Sequence, residues 1–122
     1  DKRVDSNSGF YDNGKHASAA VKAQFPFLGQ STGLAEWLVA KAAELGADEI
    51  EGTCIGLALD ICVFLTARDA TEETYKGKPY RVRVVMDACR GLSDAAKTKV
   101  ALEAIGVECV NSDAILPAKS AK

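Results

Sequence analysis

Histidine, proline and paired cysteines are scarce in this chain of 122 residues, which has one His, three Pro and four Cys with no CxxC pair. With His16 as the only imidazole, no spacing resembles a closed Cys/His site, which argues against a zinc-built domain. Long apolar runs are also missing. None approaches the roughly 18 residues that span a bilayer, and the opening DKRVDSNSGF has no apolar leader core. Charge of one sign is equally lacking, since 15 basic residues against 17 acidic leave a net charge of -2. No Lys/Arg block and no basic stripe interleaved with aromatics is found, so neither nucleic acid nor an anionic membrane surface is favoured as a partner. Cys54, Cys89 and Cys109 lie in apolar, strand-like runs and read as small buried hydrophobes. The expectation is a soluble, cytoplasmic protein with reduced thiols.

What is present is a hydrophobic content of 48%, enough for one domain over residues 1–122 with a real core. Residues 1–30 are rich in Gly, Ser, Asn and Asp, hold the aromatic patch Phe25, Pro26, Phe27, and show no period; they read as loop. From Ser31 a regular alternation begins. Ser31 and Thr32 offer N-caps to a helix whose Leu34, Trp37, Leu38 and Leu45 repeat at helical spacing before Gly46. That stripe makes Trp37 a core or interface residue. EIEGTCIG at 49–56 reads as a strand and residues 61–75 as a second helix ending near Gly77. RVRVVMDA at 81–88 becomes wholly apolar after Arg81 and Arg83, as a parallel strand does when its far end is buried on both faces. Arg81 and Arg83 read as solvated. Ser93 and Asp94 cap a third helix to about Ile105, Gly106 ends it, and VECV at 107–110 starts a last strand.

This cadence predicts an α/β fold with crossover helices, a doubly wound parallel sheet of which only part is here. Three strands leave an open edge and an apolar face without a covering helix, so the chain is expected to belong to a larger fold.

The stretch GLALDICVFLTARDA at 56–70 carries the chemistry. Ligands of open parallel sheets bind beyond the carboxyl ends of the strands, and Cys62 falls there, in the first turn of the following helix. A helix N-terminus favours thiolate over thiol. Asp60, two residues upstream, can cap that helix, but its charge opposes ionisation, so a cation is required from elsewhere.

Gly56, Leu57, Ala58, Asp60, Cys62, Val63, Thr66, Ala67, Asp69 and Ala70 resemble the nucleophile segment of the isochorismatase-like cysteine hydrolases, and within them the nicotinamidases (pyrazinamidases). VDSNSGFYDN at 4–13 resembles their Asp-Ser-x-Ser-x-Phe loop, STGLAEWL at 31–38 the helix after it, and VVMDACRGL at 84–92 the next strand and turn. The resemblance spans most of residues 4–116, to its C-terminal portion, with about 14–30 as an addition. It implies a cysteine amidohydrolase converting nicotinamide to nicotinate and ammonia through a thioester, with Cys62 as nucleophile. It also implies an oxyanion hole from the N–H groups of Ala58 and Cys62, and a cis peptide between Leu57 and Ala58. Phe10 and Tyr11 are candidate walls of the pyridine pocket. Asp69 reads as structural, and Asp87 as a cap of the RGLSD turn.

Departures from the pattern are as informative. Leu59 stands where Thr is usual and Ile61 where Tyr or His is common. The family's general base, its Lys partner and the Asp and His ligands of a divalent metal (zinc, manganese or iron) belong to segments not in this chain. Lys2 lacks the expected Gly neighbour and sits too close to the loop, and His16 reads as a solvated loop residue. A companion polypeptide carrying the N-terminal portion is therefore the expected partner, with self-association left open. The alternatives are a related hydrolase of another small amide, or a non-catalytic binding or assembly module.

Overall fold

The computed structural model describes residues 8–11, 18–24 and 29–116. Lys2, His16 and the patch at 25–27 lie outside them. In chain order the elements are α1 (Ala19–Gln24), α2 (Leu34–Glu44), β1 (Glu51–Leu57), a π-helical turn (Leu59–Val63) continuing into α3 (Phe64–Thr71), β2 (Thr74–Tyr75), β3 (Lys78–Pro79), β4 (Arg81–Arg90), α4 (Ala95–Ala104) and β5 (Glu108–Val110). No helix among them is long and apolar enough to cross a membrane.

The main sheet is parallel, in the order β1-β4-β5, with β4 central. Adjacent Val84 and Val85 are both buried, which in a strand means that both faces are covered at that point. Toward its far end only one residue is buried, Cys89, while Asp87, Ala88 and Arg90 are exposed, so coverage on both faces is confined to the middle of β4. α3 packs on β4 and α4, and α4 on β5. Leu59, Val63, Ala67 and Ala70 repeat at three- and four-residue spacing and form the buried stripe of the π-helical turn and α3. Leu102 and Val107 close the core from α4 and the turn after it. Asp94 caps α4 by accepting the Ala96 N–H at 3.0 Å.

Several expectations are corrected. Within the segment read as loop, Ala19–Gln24 is helical. The second helix stops at Thr71 rather than residue 75, because Thr74–Tyr75 pairs antiparallel with Lys78–Pro79. Lys76 and Gly77, at φ 51° and 76°, make the tight turn, and a left-handed pair matches the twist of a two-residue hairpin. α2 begins after Gly33, which itself provides no side-chain cap. Ser31 Oγ instead accepts the Gly33 N–H at 3.0 Å and donates to the Glu36 carboxylate at 3.0 Å. Trp37 is not in the core: it is 59% exposed, with the Lys41 ammonium 5.8 Å from its ring centroid. Leu34 and Leu38 form the inward face of α2, while Leu45 is exposed past the helix end. Arg81 and Arg83 are ion-paired rather than simply solvated, Arg81 with Glu49 and Glu51, and Arg83 with Glu51.

Among the described residues β1 pairs only with β4, leaving its other edge free. Gly52, Cys54 and Gly56 are half-buried on one face, while Glu51, Thr53, Ile55 and Leu57 are exposed on the other. Ile55 and Leu57 are 63% and 73% exposed. An open strand edge beside exposed apolar side chains is a surface that proteins normally cover.

Candidate active site

The chain leaves β1 at Leu57, and the peptide bond Leu57-Ala58 is cis. The Ala58 carbonyl then accepts two N–H groups, from Ile61 at 3.0 Å and from Val63 at 3.1 Å. The second is the wide i to i+5 link of a π turn. This turn carries Cys62 half-buried, between the fully packed Leu59 and Val63. Cys62 lines a cleft of about 330 Å³ with Thr53, Cys54, Ile55, Leu57, Val63 and Thr66. The nucleophile candidate therefore sits beyond the carboxyl end of a parallel strand, where open α/β sheets bind their ligands.

Thr66 lies one helical turn after Cys62, and its hydroxyl accepts the Gly9 N–H at 2.9 Å. Thr32 Oγ1 donates to the Gly9 carbonyl at 2.6 Å, and the Thr32 N–H donates to the Phe10 carbonyl at 3.0 Å. The 8–11 segment is thus tied to the helix that carries Cys62. Phe10, however, is buried against Tyr80, with ring centroids 6.3 Å apart. It lines a neighbouring cavity of about 240 Å³, which shares Thr53, Cys54 and Thr66 with the Cys62 cleft. Tyr11 turns the other way, its hydroxyl donating to the Glu73 carboxylate at 3.0 and 3.1 Å. Neither aromatic ring lines the cleft itself.

The sequence patterns did not single out Cys54 and Thr53 as lining residues. Period-two alternation puts these two neighbours on opposite faces of β1, so the sequence carried no signal that both line the cleft. All four cysteines are free. Burial, and then the nearby Cys89, push the Cys54 thiol up from its ordinary value; burial does the same for Cys89 and Cys109. These three remain thiols near neutral pH. Cys89 is buried, while Cys54 and Cys109 are half-buried at the core's margin.

Asp60 does not cap its own helix. Its carboxylate accepts the Ser93 hydroxyl at 2.7 Å and the Leu92 N–H at 3.0 Å, clasping the turn after β4. Those hydrogen bonds, the Ser93 hydroxyl first, hold its carboxyl below the usual range. Asp87 likewise bonds elsewhere than expected: it accepts the Ser112 hydroxyl at 2.7 Å and the Ser112 N–H at 2.8 Å, not the RGLSD turn. Asp69 is buried beside Arg68, whose Nε lies 3.6 Å away. Leu59 is 1% exposed and packs in the core, and neither it nor Ile61 lines the cleft. The two departures from the family pattern thus fall outside the described walls of the site.

Apart from the two thiols, the cleft lining has no titratable side chain. Among the described residues, no group of three or more His, Cys, Asp and Glu gathers to hold a metal. Among the described residues, the arrangement therefore presents Cys62 as a candidate nucleophile in a cleft whose lining holds no base or cation.

No protein-family model matches the chain. A nicotinamidase of Escherichia coli (strain K12) is 34% identical over 107 residues, covering 84% of this chain and 39% of the relative. Among solved structures, PnC1 from L. infantum in complex with nicotinate superposes with a TM-score of 0.65 at 27% identity, over 95% of this chain and 47% of that one. A nicotinamidase pyrazinamidase of Acinetobacter baumanii gives 0.58 at 25% identity, over 91% of this chain and 44% of that one. The chain thus spans less than half the length of each. A parallel sheet with flanking helices and a cysteine turn at a strand's carboxyl end defines the isochorismatase-like α/β class. Within that class the chain is similar to a portion of the nicotinamidases.

Proposed function

We propose that this chain supplies the nucleophile part of a cysteine amidohydrolase that converts nicotinamide to nicotinate and ammonia. The observation that carries the reading is the position of Cys62, in the turn that follows β1 and on the wall of a cleft large enough for a single pyridine ring. In the proposed reaction the Cys62 sulfur adds to the amide carbon, and the N–H groups of Ala58 and Cys62 donate to the resulting oxyanion. The tetrahedral adduct breaks its C–N bond, the nitrogen takes a proton and ammonia departs, leaving a thioester. Water then adds to the thioester carbonyl, the C–S bond breaks, nicotinate leaves and the thiol is restored.

The cleft lining offers no group to take the thiol proton or hand one to the leaving nitrogen. Those groups belong, in this proposal, to a companion N-terminal portion seated along the free edge of β1 and over Ile55 and Leu57. A divalent metal (zinc, manganese or iron) would be held by residues other than those described. The missing base also supports a second reading, a non-catalytic assembly module that keeps the fold without the chemistry.

Native and intact mass of the purified protein, followed by ammonia release from nicotinamide, separates the two. The first reading expects a companion polypeptide, and activity that Cys62→Ala abolishes while Cys89→Ala leaves within about threefold. A sole species at 12.9 kDa that releases no ammonia would select the second.

A further inference from the structure

A groove of about 420 Å³ runs between α2 and the β2–β3 hairpin, lined by Ala35, Glu36, Val39, Ala40, Glu73, Thr74 and Tyr80. It shares no lining residue with the Cys62 cleft. Tyr80 precedes β4, so the groove opens at the amino end of the strands, opposite the candidate active site. Three observations give it a chemistry. First, both carboxylates are held in place by hydroxyl groups: Ser31 Oγ donates to both oxygens of Glu36 at 3.0 Å, and Tyr11 Oη to those of Glu73 at 3.0 and 3.1 Å. Second, neither carboxylate has a cationic partner among the described residues, although Lys41, Lys76, Arg68, Arg81 and Arg83 all pair elsewhere. Third, Tyr80 is 5% exposed, and its hydroxyl has no hydrogen-bond partner among the described residues. A buried hydroxyl left without a partner is uncommon, because its desolvation is then uncompensated.

We propose that this groove binds a small organic monocation, a primary ammonium on a short alkyl chain. The ammonium would lie between Glu36 and Glu73, whose oxygens accept two of its N–H bonds, with the Tyr80 hydroxyl oxygen as the third acceptor. The alkyl chain would lie on Ala35, Val39 and Ala40. Three acceptors match the three donors of an ammonium, whereas two carboxylates among apolar walls form a poor cage for a divalent metal. Burial, and then the charges of Glu73 and Glu36, also push the Tyr80 hydroxyl up, so it remains protonated and able to accept through its lone pairs. The proposal is independent of the reading given to Cys62.

The test is a titration of the purified protein, in whatever assembly it forms, with n-butylammonium, with a lysine blocked at both ends, and with n-butanol as the neutral control. Calorimetry and a thermal shift provide the readouts. The expected result is saturable binding of an ammonium and none of butanol, with about tenfold weaker binding in Glu36→Gln and in Glu73→Gln. Tyr80→Phe should fold with an equal or higher melting temperature, since it removes an unpaired buried hydroxyl, yet show a smaller shift with butylammonium. Tighter binding of blocked lysine identifies a lysine side chain of a polypeptide as the natural occupant; tighter or equal binding of butylammonium identifies a free amine. Absence of binding by both, or binding that all three substitutions leave unchanged, overturns the proposal.

Discussion

Gly91 shows how one residue couples the candidate site to the sheet. A Cβ added there would meet Asp60 Oδ1 at 3.0 Å and the Leu59 Cβ at 3.3 Å, and Leu59 is locked in the core. The backbone after β4 can approach the Cys62 turn this closely only because the residue is glycine. Gly91→Ala is expected to cost about 1–3 kcal/mol through forced displacement of packed groups. Denaturant unfolding against the parent protein measures it, and an unchanged midpoint would show that the turn moves freely. Leu59 teaches a related point. As a change from the family's Thr it looked like a change of site, but its side chain points into the core, where a larger apolar group adds burial.

At the scale of elements, two carboxylates do the joining. Asp60 ties the π-helical turn to the segment after β4, and Asp87 ties β4 to Ser112 after β5. The Ser112 hydroxyl holds Asp87 below the usual carboxyl range, as the Ser93 hydroxyl does for Asp60. Both folded values lie below the unfolded value of about 3.9, so the unfolded chain takes up these protons first. Their stabilisation is complete above that value and is lost as pH falls through the folded ones. Melting temperature followed from about pH 7 to about pH 2 should fall on the acid side, less steeply in Asp60→Ala with Asp87→Ala. Parallel acid limbs in parent and variant would contradict it. Neither partner was legible beforehand, since Asp60 meets Ser93 across 33 positions and Asp87 meets Ser112 across 25. Local patterns show a helix cap such as Asp94, where both partners are two residues apart, but not a clasp between elements. The hairpin at Lys76 and Gly77 was legible in principle, because a Gly closing a two-residue turn is its usual mark. Helical periodicity running through Thr71 concealed it.

For the whole molecule, the free edge of β1 is the feature with most consequence. It lies beside Ile55 and Leu57, at the mouth of the Cys62 cleft, and the chain matches under half of each relative's length. Ile55→Lys puts a charge on an exposed position, so the chain's own fold should lose less than about 0.5 kcal/mol. If the proposed companion portion seats there, its association should weaken by at least about tenfold, the effect of one charge buried in an apolar contact. Co-purification yield and native mass check this. Undiminished association would place the companion elsewhere, and with it the missing base.

The sequence by itself determined the class of fold, the order of its principal strands and helices, and Cys62 in a turn at a strand's end. Hydrophobic period, caps and a dense local motif all act over a few residues, so they can be read along the chain. Only the tertiary structure decided that Phe10 packs on Tyr80 outside the cleft, that Trp37 faces solvent, and that Glu36 and Glu73 meet across one groove. Those outcomes depend on which face of each element finds a partner, and that is settled by contacts between residues far apart in sequence.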